Sequence, residues 1–416
     1  MTTLTEEHKA FRLSMLIYDS RYRSMTIQVV ALMGFMLAVA WLVNNTVENL
    51  AVAGKDFNFG FLGNRAGYDI NMVLIEYTND SNHGRATVIG ILNTLLVAFV
   101  GCILATIIGV LVGVLRLSKN WLVSRLMTVY IEGFRNVPVL LWIIAIFAVL
   151  TELTPAPNAF RGDTPTASMY MWDTVAITNR GTYLPEPMFT RSLGNLDLHY
   201  FMISLDLLAV IAVVFASFWI SARFKRHADV VQNATGVRPA TFWKRLAVVI
   251  LPFVALMFIL GLFLDKPELK GFNFQGGINL LNSFMALTLA LALYTGAFIA
   301  ENVRSGIQAI AKGQSEAAAA LGLRPGRAMS LVILPQALRV IIPPLISQYL
   351  NLTKNSSLAI AVGYMDIKGT IGGITMNQTG RELECMLLMM LIYLVISLLI
   401  SASMNVYNAS VSLKER

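Results

Sequence analysis

Long apolar runs separated by polar segments dominate this sequence. A transmembrane helix needs about 20 mostly apolar residues to cross the hydrocarbon core of a bilayer. The first run could be mistaken for a signal peptide, but its apolar core is longer than a typical signal and 26 residues precede it. We therefore predict eight transmembrane helices, at 27–43, 88–115, 128–150, 203–221, 246–264, 280–300, 337–360 and 384–404.

The composition agrees with a membrane protein and excludes two other classes. Of the 416 residues, 56% are hydrophobic and only 13% are charged, about half the charged share of a typical soluble domain. The mean hydropathy is +0.64. Too few charges remain to cover the surface of a soluble protein of this length. A disordered chain would combine low hydrophobicity with high charge, and this chain has the opposite.

Lys and Arg residues are distributed unevenly between the predicted spans. The net charge is +8, from 32 Lys and Arg against 24 Asp and Glu. In a soluble chain this excess would suggest a nucleic-acid partner, but in a membrane chain it marks the cytoplasmic side. With the N-terminus inside, the inner segments hold roughly twice the Lys and Arg residues of the outer ones. We expect both termini in the cytoplasm and no nucleic-acid partner.

The segments between the spans contain little regular pattern. The outer segments 44–87 and 151–202 are rich in Pro, Asn and Gly, and we predict loops with room for a short helix in each. Segment 361–383 is also assigned to the outer side. The inner segment 222–245 is strongly basic, either because topology requires it or because it contacts anionic lipid. Its basic residues are Arg223, Lys225, Arg226, Arg238, Lys244 and Arg245.

Residues that could perform chemistry are scarce inside the spans. Glu132 and Arg135 lie one helical turn apart and could pair. Cys102 and Cys385 are too few for a disulfide framework and lack metal-type spacing. The sequence has no HExxH, GxSxG or GxxxxGK[ST] motif, so we expect no catalytic residues, no metal and no ATP hydrolysis by this chain. A secondary transporter or channel, or a membrane enzyme, would need groups that we do not find.

The segment after the sixth span carries the most informative pattern. Ser315 can cap a short helix, and the four alanines from Ala317 to Ala320 favour one. Gly322 can end this helix in the left-handed conformation, and Pro325 prevents its continuation. The predicted helix has small side chains and one acid, Glu316, so another protein could approach it closely. We interpret it as a docking helix for a partner.

These residues resemble a known motif. Glu316-Ala317-Ala318, then Gly322, then Val332-Ile333-Leu334-Pro335 is similar to the EAA motif of permease subunits of bacterial ABC importers, with Val332 where the family pattern has Ile. The flanking Lys312-Gly313-Gln314 and Leu334-Pro335-Gln336-Ala337 resemble the polar amino-acid branch. Phe134-Arg135-Asn136-Val137-Pro138 departs from that branch at Asn136 and Val137, and Lys354-Asn355-Ser356-Ser357-Leu358-Ala359 matches its Lys-Asp-Thr-Ser-Leu-Ala stretch in part.

The resemblance covers about half of the chain. It divides the sequence into an N-terminal cytoplasmic segment with the first span and an outer loop, a first permease core, an insertion with two extra spans at 203–264, a second core with the coupling loop, and a cytoplasmic tail. These regions are 1–87, 88–150, 151–279, 280–404 and 405–416. The extra spans suggest the enlarged permease subunit of general L-amino-acid ABC transporters.

The resemblance implies a fold, a mechanism and partners. The fold would be an all-α integral membrane protein of the type I ABC importer permease class, with extra helices, in the bacterial inner membrane. A partner ABC ATPase dimer would bind ATP, so we expect no cofactor in this chain. The other implied partners are a second permease subunit, a periplasmic amino-acid-binding protein and membrane lipid. The family includes both homodimers and heterodimers, and the enlarged form suggests a heterodimer. The residues implied to couple to the ATPase are Glu316, Ala317, Ala318, Gly322, Leu334 and Pro335.

A second set of residues could line the translocation path. They lie where apolar runs are interrupted, and such interruptions in membrane helices often line a cavity. A cationic side chain there could bind a substrate carboxylate. The alternative is that Arg135 pairs with Glu132 and that Lys354 extends to an interface. The candidates are Arg135, Asn136, Pro138, Lys354, Asn355 and Ser356.

Overall fold

The computed structural model describes residues 15–52, 54, 56–162, 164–197 and 202–411. The chain divides into two units, 1–61 and 62–416. The first unit contains the short α1 (Met15–Tyr18) and the long α2 (Ser20–Val52), which includes the first predicted span. Residues 1–14 and 412–416, parts of the predicted N-terminal segment and tail, lie outside the described residues.

The second unit is mainly helical, as predicted. Together with α2, the described residues contain seven helices long and apolar enough to cross a membrane, and the bent pair α4–α5 counts as an eighth. The helices of this unit are α3 (His83–Arg116), α4 (Trp121–Asn136), α5 (Val139–Glu152), α6 (Leu205–Thr235), α7 (Phe242–Leu260), α8 (Asn282–Gln308), α9 (Lys312–Ala320), α10 (Pro325–Ala328), α11 (Leu334–Asn355), α12 (Ile367–Gly369), α13 (Met376–Thr379) and α14 (Glu382–Val411).

The helix α8 forms the centre of this unit, with α3, α4, α5 and α11 packed against it. Its side chains Leu287, Leu291 and Ile299 are fully buried. Glycines let α3 approach closely, because a Cβ at Gly109 would lie only 2.5 Å from Cγ2 of Ile299. Small residues commonly allow such close backbone contact between membrane helices. The core therefore depends on small residues of α3 facing larger ones of α8.

The third predicted span, 128–150, is not one helix. It consists of α4 and α5, whose axes differ by 107°. The break lies at Val137, which is extended (φ −110°, ψ 133°), and at Pro138. A proline disfavours the helical conformation of the residue before it. The sequence feature that breaks this span was therefore visible, but the size of the bend was not predicted.

The seventh predicted span, 337–360, is not α-helical to its end. The helix α11 ends at Asn355, and a 3₁₀ segment follows at Ser356–Val362. The next residues pack along α3 rather than forming a free outer loop. The Tyr364 hydroxyl donates to the Asn93 carbonyl (3.2 Å), and the Ile367 amide donates to Oγ1 of Thr94 (3.2 Å). Segment 361–383, which was predicted only to lie on the outer side, thus packs against the membrane helix α3.

Short strands occupy part of the predicted loop 151–202, and others lie within 262–280. Segments of three or four residues are too short to show the alternation that identifies a strand in a sequence. They form a three-stranded antiparallel sheet, β1–β2–β9, and three two-stranded ladders, β3–β6, β4–β5 and β7–β8. The strands are β1 (Ala176–Thr178), β2 (Gly181–Leu184), β3 (Glu186–Phe189), β4 (Asn195–Asp197), β5 (Met202–Ser204), β6 (Leu262–Asp265), β7 (Glu268–Lys270), β8 (Asn273–Gln275) and β9 (Ile278–Leu280).

These strands also shorten one predicted span. The fifth was expected at 246–264, but α7 ends at Leu260, where Gly261 adopts the left-handed conformation (φ +68°). The apolar residues that follow belong to β6, which pairs with β3. Apolar character alone does not distinguish the end of a membrane helix from an adjoining strand.

Candidate coupling helix and helix breaks

The predicted docking helix is present as α9, but it begins earlier than expected. It starts at Lys312, after Ala311 in an extended conformation, and no side chain caps its N-terminus. Ser315 was predicted to be the cap. Instead, its hydroxyl lies inside the helix and donates to the Lys312 carbonyl (2.7 Å). The prediction of the helix is confirmed, and that of its first residue is wrong by one turn.

The C-terminal end of α9 follows the prediction for Gly322. This glycine is left-handed, with φ +75°. The Gly322 amide donates to the Ala319 carbonyl (2.9 Å), and the Leu323 amide donates to the Ala318 carbonyl (3.1 Å). This pair of bonds is the Schellman motif, which satisfies carbonyls at the end of a helix. The helix therefore stops abruptly, and Pro325 starts α10.

The surface of α9 consists mainly of small and polar side chains. Glu316 and Ala317 are exposed, whereas Ala318 is only 3% exposed. Leu321 was not among the predicted coupling residues, yet its side chain is 82% exposed. Its signal in the sequence is that it alone is large and apolar between Lys312 and Gly322. The surface of α9 that a partner could contact thus consists of small and polar side chains, with one large apolar side chain, Leu321, after its last turn.

Leu334 and Pro335 lie on a different element from the other coupling candidates. They occupy the first turn of α11, directly after a π-helical turn at Met329–Ile333. Nε2 of the Gln336 side chain donates to the Val332 carbonyl (3.0 Å) and to Oε1 of Gln314 in α9 (3.3 Å). This link between α9 and α11 could not be predicted from the sequence. It joins α9 to the start of α11.

An ionic cluster lies near the C-terminal end of α8, shortly before the docking helix α9 begins. Glu301 in α8 forms an ion pair with Arg304 (Nη2 to Oε1, 2.5 Å) and another with Arg116, the last residue of α3. Arg304 also donates from Nη1 to Oε1 of Gln308, the last residue of α8 (2.6 Å). The cluster joins the ends of α3 and α8 shortly before α9 begins. No role for this cluster was predicted from the sequence.

The break between α4 and α5 contains three of the path candidates. Arg135, Asn136 and Pro138 are exposed. The predicted alternative, a pair of Arg135 with Glu132, does not form. The Arg135 guanidinium lies 5.2 Å from the ring centre of Phe298, and Glu132 accepts a hydrogen bond from Asn136 (3.2 Å). The cation therefore rests on an aromatic face rather than on a carboxylate.

Aromatic rings hold this break in position. Phe134 in α4 stacks on Trp142 in α5, with ring centres 4.3 Å apart. The Tyr130 hydroxyl donates to the Leu293 carbonyl of α8 (2.6 Å). Stacked aromatic pairs contribute about 0.5–1.5 kcal/mol beyond the area that they bury. The bend is thus supported from both helices and from α8.

The other three path candidates lie at the end of α11, and they differ in how far they are exposed. Lys354 is exposed, Asn355 is half-buried, and Ser356 is fully buried. The Ser356 hydroxyl donates to the Thr353 carbonyl (2.7 Å), so it serves the local backbone. Within the described part of the chain, no group of three or more His, Cys, Asp or Glu residues could hold a metal ion.

Comparisons with known proteins identify relatives over almost the whole length. Residues 241–413 match the family model described as "Binding-protein-dependent transport system inner membrane component". The "Glutamate/glutamine/aspartate/asparagine transport system permease protein BztB" of Rhodobacter capsulatus is 61% identical over 98% of this chain and 97% of the relative. The "General L-amino acid transport system permease protein AapQ" of Rhizobium johnstonii is 44% identical over 98% and 96%, respectively.

One solved structure is also similar to this chain. Its title is "Crystal structure of an amino acid ABC transporter with histidines". The likeness has a TM-score of 0.44 and 17% identity, and it covers 79% of this chain and 95% of that one.

Proposed function

Because this chain belongs to the inner-membrane permease components of binding-protein-dependent ABC transport systems, we propose that it carries L-amino acids from the periplasm to the cytoplasm. The names of the two relatives support this substrate class, one specifying acidic amino acids and their amides and the other L-amino acids in general. Transport would proceed by alternating access between outward-facing and inward-facing states.

The observation that carries the proposal is the geometry of α9. It is an exposed helix with small side chains, ended by the Schellman bonds at Gly322. A groove on a partner ATPase could receive such a helix without distortion. Closure of the ATPase dimer would move α9, and the Gln314–Gln336 hydrogen bond would pass that movement to α11.

The division of roles between the subunits is inferred from a motif that this sequence lacks. A GxxxxGK[ST] phosphate loop is absent from the sequence, so the partner ATPase would bind and hydrolyse ATP, and this chain would be non-catalytic. A second permease subunit would complete the path as a heterodimer, and a periplasmic binding protein would deliver the substrate. Both termini would lie in the cytoplasm, together with α9.

The path itself would include the two helix breaks. Arg135 and Lys354 are exposed cations at the break between α4 and α5 and at the end of α11. Their charges suit the α-carboxylate that all amino-acid substrates share. Ser356 would act by ending α11 rather than by contacting substrate, since its hydroxyl is bonded to the Thr353 carbonyl.

The test is co-purification of an ATPase with the tagged chain from native membranes in mild detergent. A valine at Gly322 must adopt a left-handed conformation, which costs about 1–2 kcal/mol or more for a residue with a side chain. Gly322→Val should therefore lose the ATPase. Gly326→Val is the matched control, because Gly326 lacks a positive φ and has no atom within 4 Å of its Cβ position.

Two results would contradict the proposal. The docking role of α9 is wrong if Gly322→Val retains the ATPase as well as wild type does. If no ATPase co-purifies with wild type even after cross-linking, the isolated chain should be reconstituted and assayed for transport alone. Transport without a partner would identify a secondary transporter or channel.

A further inference from the structure

The two extra spans form a hairpin that packs mainly on itself. Within the described residues, the main contacts of α6 and α7 are with each other and with the short strands β4, β5 and β6 at one end of the hairpin. The small residues Ser217, Ser221 and Ala228 of α6 are buried. Large apolar side chains such as Phe215 and Phe258 point away from the hairpin, at 74% and 85% exposure. Most of this apolar surface is therefore available to lipid.

The end of the hairpin that joins α6 to α7 carries an unbalanced positive charge. Arg238 forms an ion pair with Asp229 (3.0 Å). Within the described residues, no acidic side chain pairs with the other five cations of this end. These are Arg223, Lys225, Arg226, Lys244 and Arg245.

Two of these cations are held at a defined position along the hairpin. The Arg223 guanidinium lies 3.8 Å from the ring centre of Trp219. Nε of Arg245 in α7 donates to the Ser221 hydroxyl in α6 (3.2 Å). Ser221 lies between Trp219 and Arg223 in the sequence, so both guanidinium groups occupy the same level. A charge needed only for topology would not require such fixed positions.

Exposed aromatic side chains occur at the same end of the hairpin. Phe242 and Trp243 open α7 and are 67% and 76% exposed. Thr241 provides no side-chain cap, so the first amide groups of α7 are open to an anion. Trp side chains prefer the level of the headgroups at a membrane surface. Cations, free backbone amides and aromatic rings thus lie together at the end of the hairpin where α6 is joined to α7.

We propose that this end of the hairpin binds the headgroup phosphates of anionic phospholipids. The surface consists of Trp219, Arg223, Phe242, Trp243, Lys244 and Arg245, and is called the basic–aromatic surface below. The phosphate would meet the cations, and the acyl chains would cover the aromatic rings and the apolar faces of α6 and α7. A free phosphate ion would leave those rings uncovered, which favours a lipid. The proposal does not depend on the transported substrate.

The test measures lipid retention by the full-length protein in mild detergent, using native mass spectrometry. Phosphatidylglycerol and phosphatidylcholine of equal chain length are added separately. Wild type should retain phosphatidylglycerol preferentially, and Arg223→Gln/Lys244→Gln should reduce its retention roughly tenfold or more, given the attraction of each cation near an anionic surface. Arg223→Lys/Lys244→Arg keeps the charges and should retain most of it.

The control removes two exposed cations elsewhere. Lys119→Gln/Arg125→Gln changes the net charge equally, near the loop between α3 and α4, and should leave retention unchanged. The proposal is overturned if Arg223→Gln/Lys244→Gln retains phosphatidylglycerol like wild type, or if both double variants lose it equally. Loss of a co-purifying protein with unchanged lipid retention would instead assign the surface to a protein partner.

A second measurement needs no variant and covers the case in which a variant fails to fold. Salt screens charges at an exposed surface. Raising the sodium chloride concentration should displace phosphatidylglycerol from wild type while leaving retained phosphatidylcholine unchanged. Retention of phosphatidylglycerol that does not respond to salt would contradict the proposal.

Discussion

Arg116, the last residue of α3, forms an ion pair with Glu301, which lies in the last turns of α8 before the docking helix α9. Glu301 also pairs with Arg304, and all three side chains are between 17% and 28% exposed. The carboxylate thus holds two guanidinium groups from different helices. The cluster therefore joins α3 to α8, whereas the Gln314–Gln336 hydrogen bond joins α9 to α11.

Glu301→Gln should destabilise the protein. The substitution leaves Arg116 and Arg304 without their carboxylate in a partly buried setting, and we expect a loss of about 1–3 kcal/mol. Thermal unfolding in detergent measures the effect. Glu316→Gln is the control, because Glu316 is exposed on α9 and its substitution should leave the unfolding temperature unchanged. Equal shifts in the two variants would contradict a stabilising role for the cluster.

Gly109→Ala should disturb the contact between α3 and α8. The added methyl group would lie 2.5 Å from Cγ2 of Ile299 and 2.9 Å from the Gly296 carbonyl oxygen. Overpacking of this kind typically costs about 1–3 kcal/mol. The yield of monodisperse protein and its unfolding temperature should both fall.

A control and a compensating change sharpen the Gly109 test. Gly133→Ala adds the same methyl group to α4, where nothing lies within 4 Å, and should be tolerated. Gly109→Ala/Ile299→Ala removes the side-chain overlap and should recover part of the lost stability. The carbonyl contact remains, so full recovery is not expected. An unfolding temperature of Gly109→Ala equal to that of wild type would refute the close packing described for this pair.

Asn282→Ala should loosen the junction between the sheet and the bundle. The buried Asn282 amide donates to the carbonyls of Leu150 in α5 (3.2 Å) and Thr178 in β1 (3.3 Å). Losing these donors leaves polar groups unsatisfied, at a cost of about 1–3 kcal/mol. Thermal unfolding and limited proteolysis of the segment 153–197 provide the measurement. Asn233→Ala, at an exposed position in α6, should behave like wild type, and faster cleavage of both variants would argue against a specific role.

Lys354→Gln should reduce uptake while the ATPase remains bound. If the Lys354 ammonium attracts the substrate carboxylate, losing its charge-assisted contact of about 1.5–3 kcal/mol lowers uptake roughly tenfold or more. Uptake of labelled amino acid into proteoliposomes containing the whole transporter measures this effect. Lys354→Arg should restore most of the uptake, and Lys119→Gln should have no effect. Wild-type uptake by Lys354→Gln would remove Lys354 from the path.

Local features of the chain could be predicted because they depend on neighbouring residues. The left-handed end of α9 required only that Gly322 follow a run of alanines, and the break of the third span required only Pro138. Apolar runs likewise located the membrane helices, since the cost of leaving lipid is summed residue by residue. The start of α9 failed because Ser315 is used inside the helix rather than at its end.

Features formed by residues distant in sequence appeared only in three dimensions. Arg135 meets Phe298 and not its neighbour Glu132, because folding brings α8 beside α4. The β-strands are too short to carry a pattern of their own, and pairing with partners such as β6 and β9 stabilises them. Local sequence thus decided which segments form membrane helices and where single Gly and Pro residues end or break a helix. The angles between helices and the contacts of their polar groups depended on packing, which no single segment encodes.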